Sequence, residues 1–294
     1  MWRKPSFSVV TTKRALSDIQ AFFAGWAGLG RFWAVTLGLT AALATALQIA
    51  GPPHPNPLGP APIASKPPAP THAPGRPSVA LLVGGIGMSL ADSTAAIDTL
   101  PQAITLAVAP YGASTTKLLH RIQTKGHEYL LSVPMEPQSF PLDDPDSATA
   151  LMTSLTETEA NARLRAILAR VPGAAGLTNT LGPLLGERLM AEPDLFGAVQ
   201  HTATENGFFF LEAGAQPLSM RGRQADVVLD DDQVTAATLQ ERLDRLTKIA
   251  LDKGSAVGII ALPRPVALER VAAWSRGLSA QGVDLVPVSA LVSF

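Results

Sequence analysis

Eight short apolar runs between Val79 and the C-terminus constrain the fold of this chain more than any other feature. They are VALLV at Val79–Val83, ITLAVA at Ile104–Ala109, YLLSV at Tyr129–Val133, GLTN at Gly176–Asn179, FFFLE at Phe208–Glu212, DVVLD at Asp226–Asp230, AVGIIA at Ala256–Ala261 and DLVPV at Asp284–Val288. The runs have strand length, and their apolar character is continuous rather than alternating, the pattern of strands covered on both faces. Between them lie helical patterns with their own start signals. Thr156 and Glu159 form a capping box ahead of a run to Arg170, and a helix from Thr235 to Lys253-Gly254 carries Leu239, Leu243, Leu246, Ile249 and Ala250 on one face. Strands alternating with connections long enough for a crossover predict an α/β domain with a parallel sheet, either a βα barrel or a doubly wound sheet. In both, ligands gather at the C-terminal ends of the strands. The stretch Pro134–Ala150 reads as an irregular loop after the third strand, long enough to shape a site.

The rest of the chain is organised differently. Phe32–Ala50 runs for 19 residues without a charge, about the length a helix needs to cross a ~30 Å hydrocarbon layer. Arg3, Lys4, Lys13, Arg14 and Arg31 precede it against the single acid Asp18, so the basic flank is expected inside and the remainder outside. Trp26 and Trp33 stand near the start of the span. A cleaved leader is the alternative, because Ala44-Thr45-Ala46 has a small-x-small pattern, but the basic region and the apolar run are both longer than a leader requires. Eleven prolines within the 28 residues Gly51–Ser78 predict an extended tether of about 3.1 Å per residue, on the order of 80 Å in all. The expected organisation is a basic N-terminus at 1–31, a transmembrane helix at 32–50, a proline-rich linker at 51–78 and a folded domain at 79–294, with the domain in the periplasm of a single-pass inner-membrane protein.

Several functions are excluded or disfavoured at once. With no cysteine there are no disulfides, thiolate nucleophiles or cysteine-ligated metals. A formal net charge of -1 gives no field for nucleic acid, which is not expected as a partner. Of the five histidines, His54 and His72 fall in the proline-rich stretch, leaving His120, His127 and His201. His127 reads as a packing or capping residue, and the other two as helix-surface residues. The glycines of Val83-Gly84-Gly85-Ile86-Gly87 lack GxGxxG spacing and a Walker lysine, which argues against nucleotide binding. There is no GxSxG, and Ser132 has no evident base.

Taken in order, VALLVGGIGMS, ITLAVAPYG, GHEYLLSVPMEP at Gly126–Pro137, VPGAAGLTN, GFFFLEA, VVLDDD, GSAVGII and LVPVSAL resemble the divergent polysaccharide deacetylase family over nearly the whole segment from Val79. The resemblance implies a distorted, incomplete βα barrel and an ancestral carbohydrate groove. It also implies a metal site, and there this chain departs from the pattern. Where the family's first strand ends in two aspartates, one for the metal and one as base, this chain has Gly84 and Gly85. Ser132, Thr180 and Ala261 replace family histidines, and Glu212-Ala213 replaces an aspartate-serine pair. Hydrolysis at a metal needs about three protein ligands and an open position for water, and glycine, threonine and alanine supply none.

What remains at the expected mouth is Glu136, Asn179, Glu212 and Asp230-Asp231-Asp232, which could line one groove and hydrogen-bond sugar hydroxyls. The bland readings are a structural carboxylate at Glu136 and a solvated turn capping the next helix at Asp230–Asp232. The expectation is a degenerate deacetylase-like protein binding an envelope glycan or a periplasmic protein partner, with no cofactor. The alternatives are a hydrolase whose zinc-type site is rebuilt from Glu136, Glu212 and Asp230, and an envelope or division scaffold.

Overall fold

The computed structural model describes residues 75–292 apart from 113, 215–217 and 232–233. The basic N-terminus, the span Phe32–Ala50 and all but the last residues of the proline-rich linker lie outside the described residues. Among the described residues no helix is long and apolar enough to cross a membrane.

Among the described residues there are nine strands: β1 (Ser78–Ile86), β2 (Thr105–Val108), β3 (Tyr129–Ser132), β4 (Gly176–Thr178), β5 (Phe209–Glu212), β6 (Gly222–Gln224), β7 (Val227–Val228), β8 (Ser255–Ile260) and β9 (Asp284–Leu285). The helices are α1 (Leu90–Thr99), α2 (Thr115–Lys125), α3 (Glu157–Leu168), α4 (Glu187–Met190), α5 (Pro193–Glu205), α6 (Ala236–Lys253) and α7 (Pro265–Leu278). All eight apolar runs became strands in place, those at Asp226–Asp230 and Asp284–Val288 each shrinking to two residues. The strand absent from the sequence reading, β6, is the polar segment GRQ, half-exposed at the sheet edge. Burial does not select apolar residues there, so no apolar run marks it.

Every strand pair is parallel, and the order is β6-β5-β4-β3-β2-β1-β8-β7, with β9 pairing the first residues of β1. That is the cyclic order of a βα barrel interrupted between β6 and β7, which decides for the incomplete barrel against the doubly wound sheet. Arg223 of β6 reaches toward the other edge, donating to Ser255 Oγ (3.0 Å) and pairing with Asp226 (3.2 Å).

The period-2 alternation of strand side chains splits the core in two. Val79, Leu81 and Val83 of β1, with Leu106, Leu131 and Phe210, face outward against helix residues such as Leu118, Ile122, Leu243 and Trp274. Ala80, Leu82, Ala107, Leu130, Phe209, Leu211, Val257 and Ile259 face inward, where Val286, Val288, Leu291 and Val292 of the C-terminal segment join them. Buried Glu128 helps hold that segment: its Oε1 accepts from Thr105 Oγ1 (2.9 Å) and from the Ser289 N–H (3.1 Å). Local signals were obeyed. Thr156 and Glu159 form a reciprocal capping box on α3, Thr235 caps α6, and Gly254 ends α6 in a left-handed conformation. Helix α3 stops at Leu168, two residues short of the expected end.

Candidate functional site: a closed centre at the strand ends

The positions that the family resemblance marks for a metal do converge. A Cβ added to Gly84, near the C-terminal end of β1, would lie 2.8 Å from Ala261 O, 3.0 Å from Thr180 Cγ2 and 3.3 Å from Ile260 O. On Gly85, at φ +71°, it would lie 2.9 Å from Leu262 Cδ2, 3.0 Å from Pro263 Cδ and 3.2 Å from Ala261 O. Gly84, Gly85, Thr180 and Ala261 are therefore neighbours in space although up to 177 residues separate them in sequence. Ser132 stands in register with Thr178, whose hydroxyl donates to Thr180 Oγ1 at 3.2 Å. Among the described residues the buried Ser132 Oγ has no hydrogen-bond partner.

The convergent positions enclose packed space rather than a cradle. The backbone of the loop after β8 lies where an aspartate side chain on Gly84 would extend, and Leu262 and Pro263 cover Gly85. Leu262 Cδ2 also lies 3.3 Å from the Cβ position of Gly182, which Met88 Sδ approaches to 2.9 Å from the other side. Leu262 thus lies against both Gly85 and Gly182, with Met88, 53% exposed, packed at Gly182 beside it. The divalent metal that the family implies does not fit these residues. The donor set is two glycines, a threonine bonded to its neighbour, a serine and an alanine, and the space is occupied by carbon and by a backbone carbonyl.

The surviving polar residues have other partners. Asp230 is buried, with Oδ1 accepting the Ala261 N–H at 2.6 Å and Oδ2 the Leu262 N–H at 3.1 Å. It therefore holds the loop that closes over the glycines. This corrects the reading of Asp230 as a solvated turn or a helix cap: Thr235 takes the cap, and the β8 loop supplies donors that local sequence does not reveal. Burial pushes the Asp230 carboxyl above the ordinary carboxylate range, outweighing its two backbone donors. Asp231 pairs with Arg242 at 2.6 Å, and Asp232 lies outside the described residues.

Glu136 is 3% exposed and works as a structural carboxylate. Its Oε2 accepts from the Thr153 N–H (2.6 Å) and hydroxyl (2.8 Å), and its Oε1 pairs with Arg188 at 3.0 Å. Those contacts tie both ends of the long loop after β3 together. Tyr111 adds a bond from its hydroxyl to Pro145 O, and Arg163 donates to Ser147 O (2.9 Å) and Ala150 O (2.7 Å). Asn179 latches three segments, donating to Leu185 O (2.9 Å) and accepting the Ala213 N–H (2.8 Å). Glu212 Oε1 accepts the Gly214 N–H at 2.6 Å. Among the described residues no three His, Asp or Glu side chains come together to hold a metal ion, so Glu136, Glu212 and Asp230 do not form the rebuilt site.

His127 is buried, its ring nitrogens 3.0 and 3.1 Å from Ile104 O and Ile97 O, which is the packing role its sequence suggests. His120 and His201 are exposed on α2 and α5. Sequence reasoning missed Leu262 and Pro263, which cover the centre, Met88 beside them, and Thr153 and Arg188, which hold Glu136. Nothing local marks them, because each acts on a residue brought near only by the sheet.

An open parallel βα barrel whose strand ends carry the convergent positions of a hydrolytic centre defines the deacetylase-like class of α/β protein. The chain belongs to the divergent polysaccharide deacetylase family, whose model matches residues 81–292. It is 24% identical over 170 residues to the uncharacterized protein YibQ of Escherichia coli K12, a match covering 54% of this chain and 51% of that protein. The chain thus spans about half the length of the curated relative it matches. An uncharacterized protein of Agrobacterium tumefaciens C58 has a similar crystal structure, with 31% identity, a TM-score of 0.70, and coverage of 76% of this chain and 93% of that one.

Proposed function

We propose that the chain is a polysaccharide deacetylase-like protein that has lost metal-dependent hydrolysis and acts by binding an envelope glycan or a periplasmic protein partner. One observation carries the reading: the space beside Gly84 and Gly85 is filled by Ala261 O, Thr180, Leu262 and Pro263. Hydrolysis at a metal needs ligands and an open coordination position together, and this arrangement supplies neither. The charge-free stretch Phe32–Ala50 and its basic flank support a single-pass inner-membrane protein. The proline-rich linker would then hold the domain off the membrane on the periplasmic side.

The test is to load the purified full chain with zinc, wash it, measure bound metal, and assay acetate release from an acetylated amino-sugar oligomer. Substoichiometric metal and no acetate above a buffer control are expected. Stoichiometric metal with turnover would refute the reading in favour of an active deacetylase. Binding is read separately by co-sedimentation with insoluble peptidoglycan and by crosslinking in intact membranes.

A further inference from the structure

A cleft of about 460 Å³ lies between α1 and α2 on the outside of the barrel, lined by none of the residues of the closed centre. Its lining includes four basic side chains, Lys117, His120, Arg121 and Lys125, with Leu90 and Thr94 opposite, and no acid. That is notable in a chain with 23 Lys and Arg against 24 Asp and Glu, where random placement would mix the signs. The arrangement follows from helical spacing. Lys117, Arg121 and Lys125 repeat every four residues down one face of α2, and Leu90, Thr94 and Asp98 do the same on α1.

The two stripes meet unequally. At the far end Asp98 takes both Arg121 (2.5 Å) and Lys125 (3.4 Å), so two cations share one carboxylate. At the near end, beside the strand C-termini, Lys117 and His120 face Leu90 and Thr94. Neither has an ion pair or side-chain hydrogen bond among the described residues. Positions i, i+3 and i+4 on a helix bring Lys117, His120 and Arg121 into one patch with about 5–6 Å between Cβ atoms. Lys117 and His120 present open donors to an anion there, and Arg121, held by Asp98 through Nε and Nη2, adds positive charge beside them. Leu90, 57% exposed, gives the cleft an apolar wall beside the charge.

We propose that the α1–α2 cleft is a binding site for a phosphate-type anion, with Lys117 and His120 as its principal ligands and Leu90 as an apolar contact for whatever carries the phosphate. The site is independent of the closed centre and of the deacetylase-like reading. Two carriers share this chemistry, a phosphorylated glycan and a phospholipid headgroup, and Leu90 separates them: only a carrier with an acyl chain gains from that wall.

The experiment is isothermal titration of the full chain in a neutral detergent at constant ionic strength, with inorganic phosphate as one probe and dihexanoyl phosphatidic acid below its micellar concentration as the other. The variants are K117A/H120A and L90S, each checked for an unchanged thermal midpoint. Saturable binding of inorganic phosphate, weakened about fivefold or more in K117A/H120A and unchanged in L90S, is expected for a carrier-independent site. Tighter binding of the phosphatidic acid, weakened in both variants, also supports the proposal and makes lipid the carrier. No saturable binding of either probe, or equal binding by K117A/H120A and the parent, would overturn it.

Discussion

Replacing Gly84 with alanine distinguishes a filled centre from a vacated one by the sign of the change. Gly84 has an ordinary negative-φ backbone, so alanine is conformationally permitted there. In open space Gly→Ala stabilises a strand by about 0.4–1 kcal/mol, because the unfolded chain loses freedom. The structure puts the new Cβ 2.8 Å from Ala261 O, closer than real Cβ contacts come, and 3.0 Å from Thr180 Cγ2, tighter than most. Neither neighbour yields easily. Ala261 is fixed through its N–H to Asp230 and by its place at the end of β8, and Thr180 is fully buried. Overpacking of this kind costs about 1–3 kcal/mol, more than the entropic gain, so G84A is expected to be destabilised. For a domain of this size the thermal midpoint falls by about 2–12 °C, against a rise of about 1–4 °C if the space were empty. Urea unfolding followed by circular dichroism, with an unchanged m-value, measures the difference. A midpoint equal to or above the parent's would refute the packed centre, and with it the physical ground for excluding a metal.

Three further perturbations read the surrounding contacts. D230N keeps one acceptor for the Ala261 and Leu262 N–H groups and is expected to cost about 1–3 kcal/mol. Because the folded pKa of Asp230 is raised, the folded state binds more protons than the unfolded one between the unfolded value of about 3.9 and the folded value. Its contribution is complete below that window and falls as pH rises through it, so the gap between parent and D230N should be widest in acid and narrow with rising pH; a gap that widens would contradict the assigned burial. E136Q disturbs the buried carboxylate shared by Thr153 and Arg188 and should cost about 1–3 kcal/mol, with faster amide exchange at Thr153 as the local signature. S132A removes a buried hydroxyl without a described partner and should raise stability by about 1 kcal/mol; a loss would show that the hydroxyl is satisfied.

The sequence by itself determined the strands buried on both faces, because continuous apolar runs have few other uses in an α/β chain, and it determined the helix limits marked by Thr156, Thr235 and Gly254. It also identified the five substituted positions through the family resemblance. It missed β6, whose residues are polar and only half-buried and so carry no hydrophobic imprint. Periodicity alone left barrel and doubly wound sheet open, since parallel crossovers look alike in sequence; the family resemblance implied the incomplete barrel, and the strand order bears it out. Only the tertiary structure separated a vacated centre from a filled one. Loss of a side chain at Gly84 can be read in a sequence, but what moves into its place comes from Ala261, Leu262 and Pro263, and their approach exists only once β8 lies beside β1. Asp230 shows the same limit: its composition suggested a turn or a ligand, while its function is set by two N–H groups more than thirty residues away that the folded sheet delivers to it.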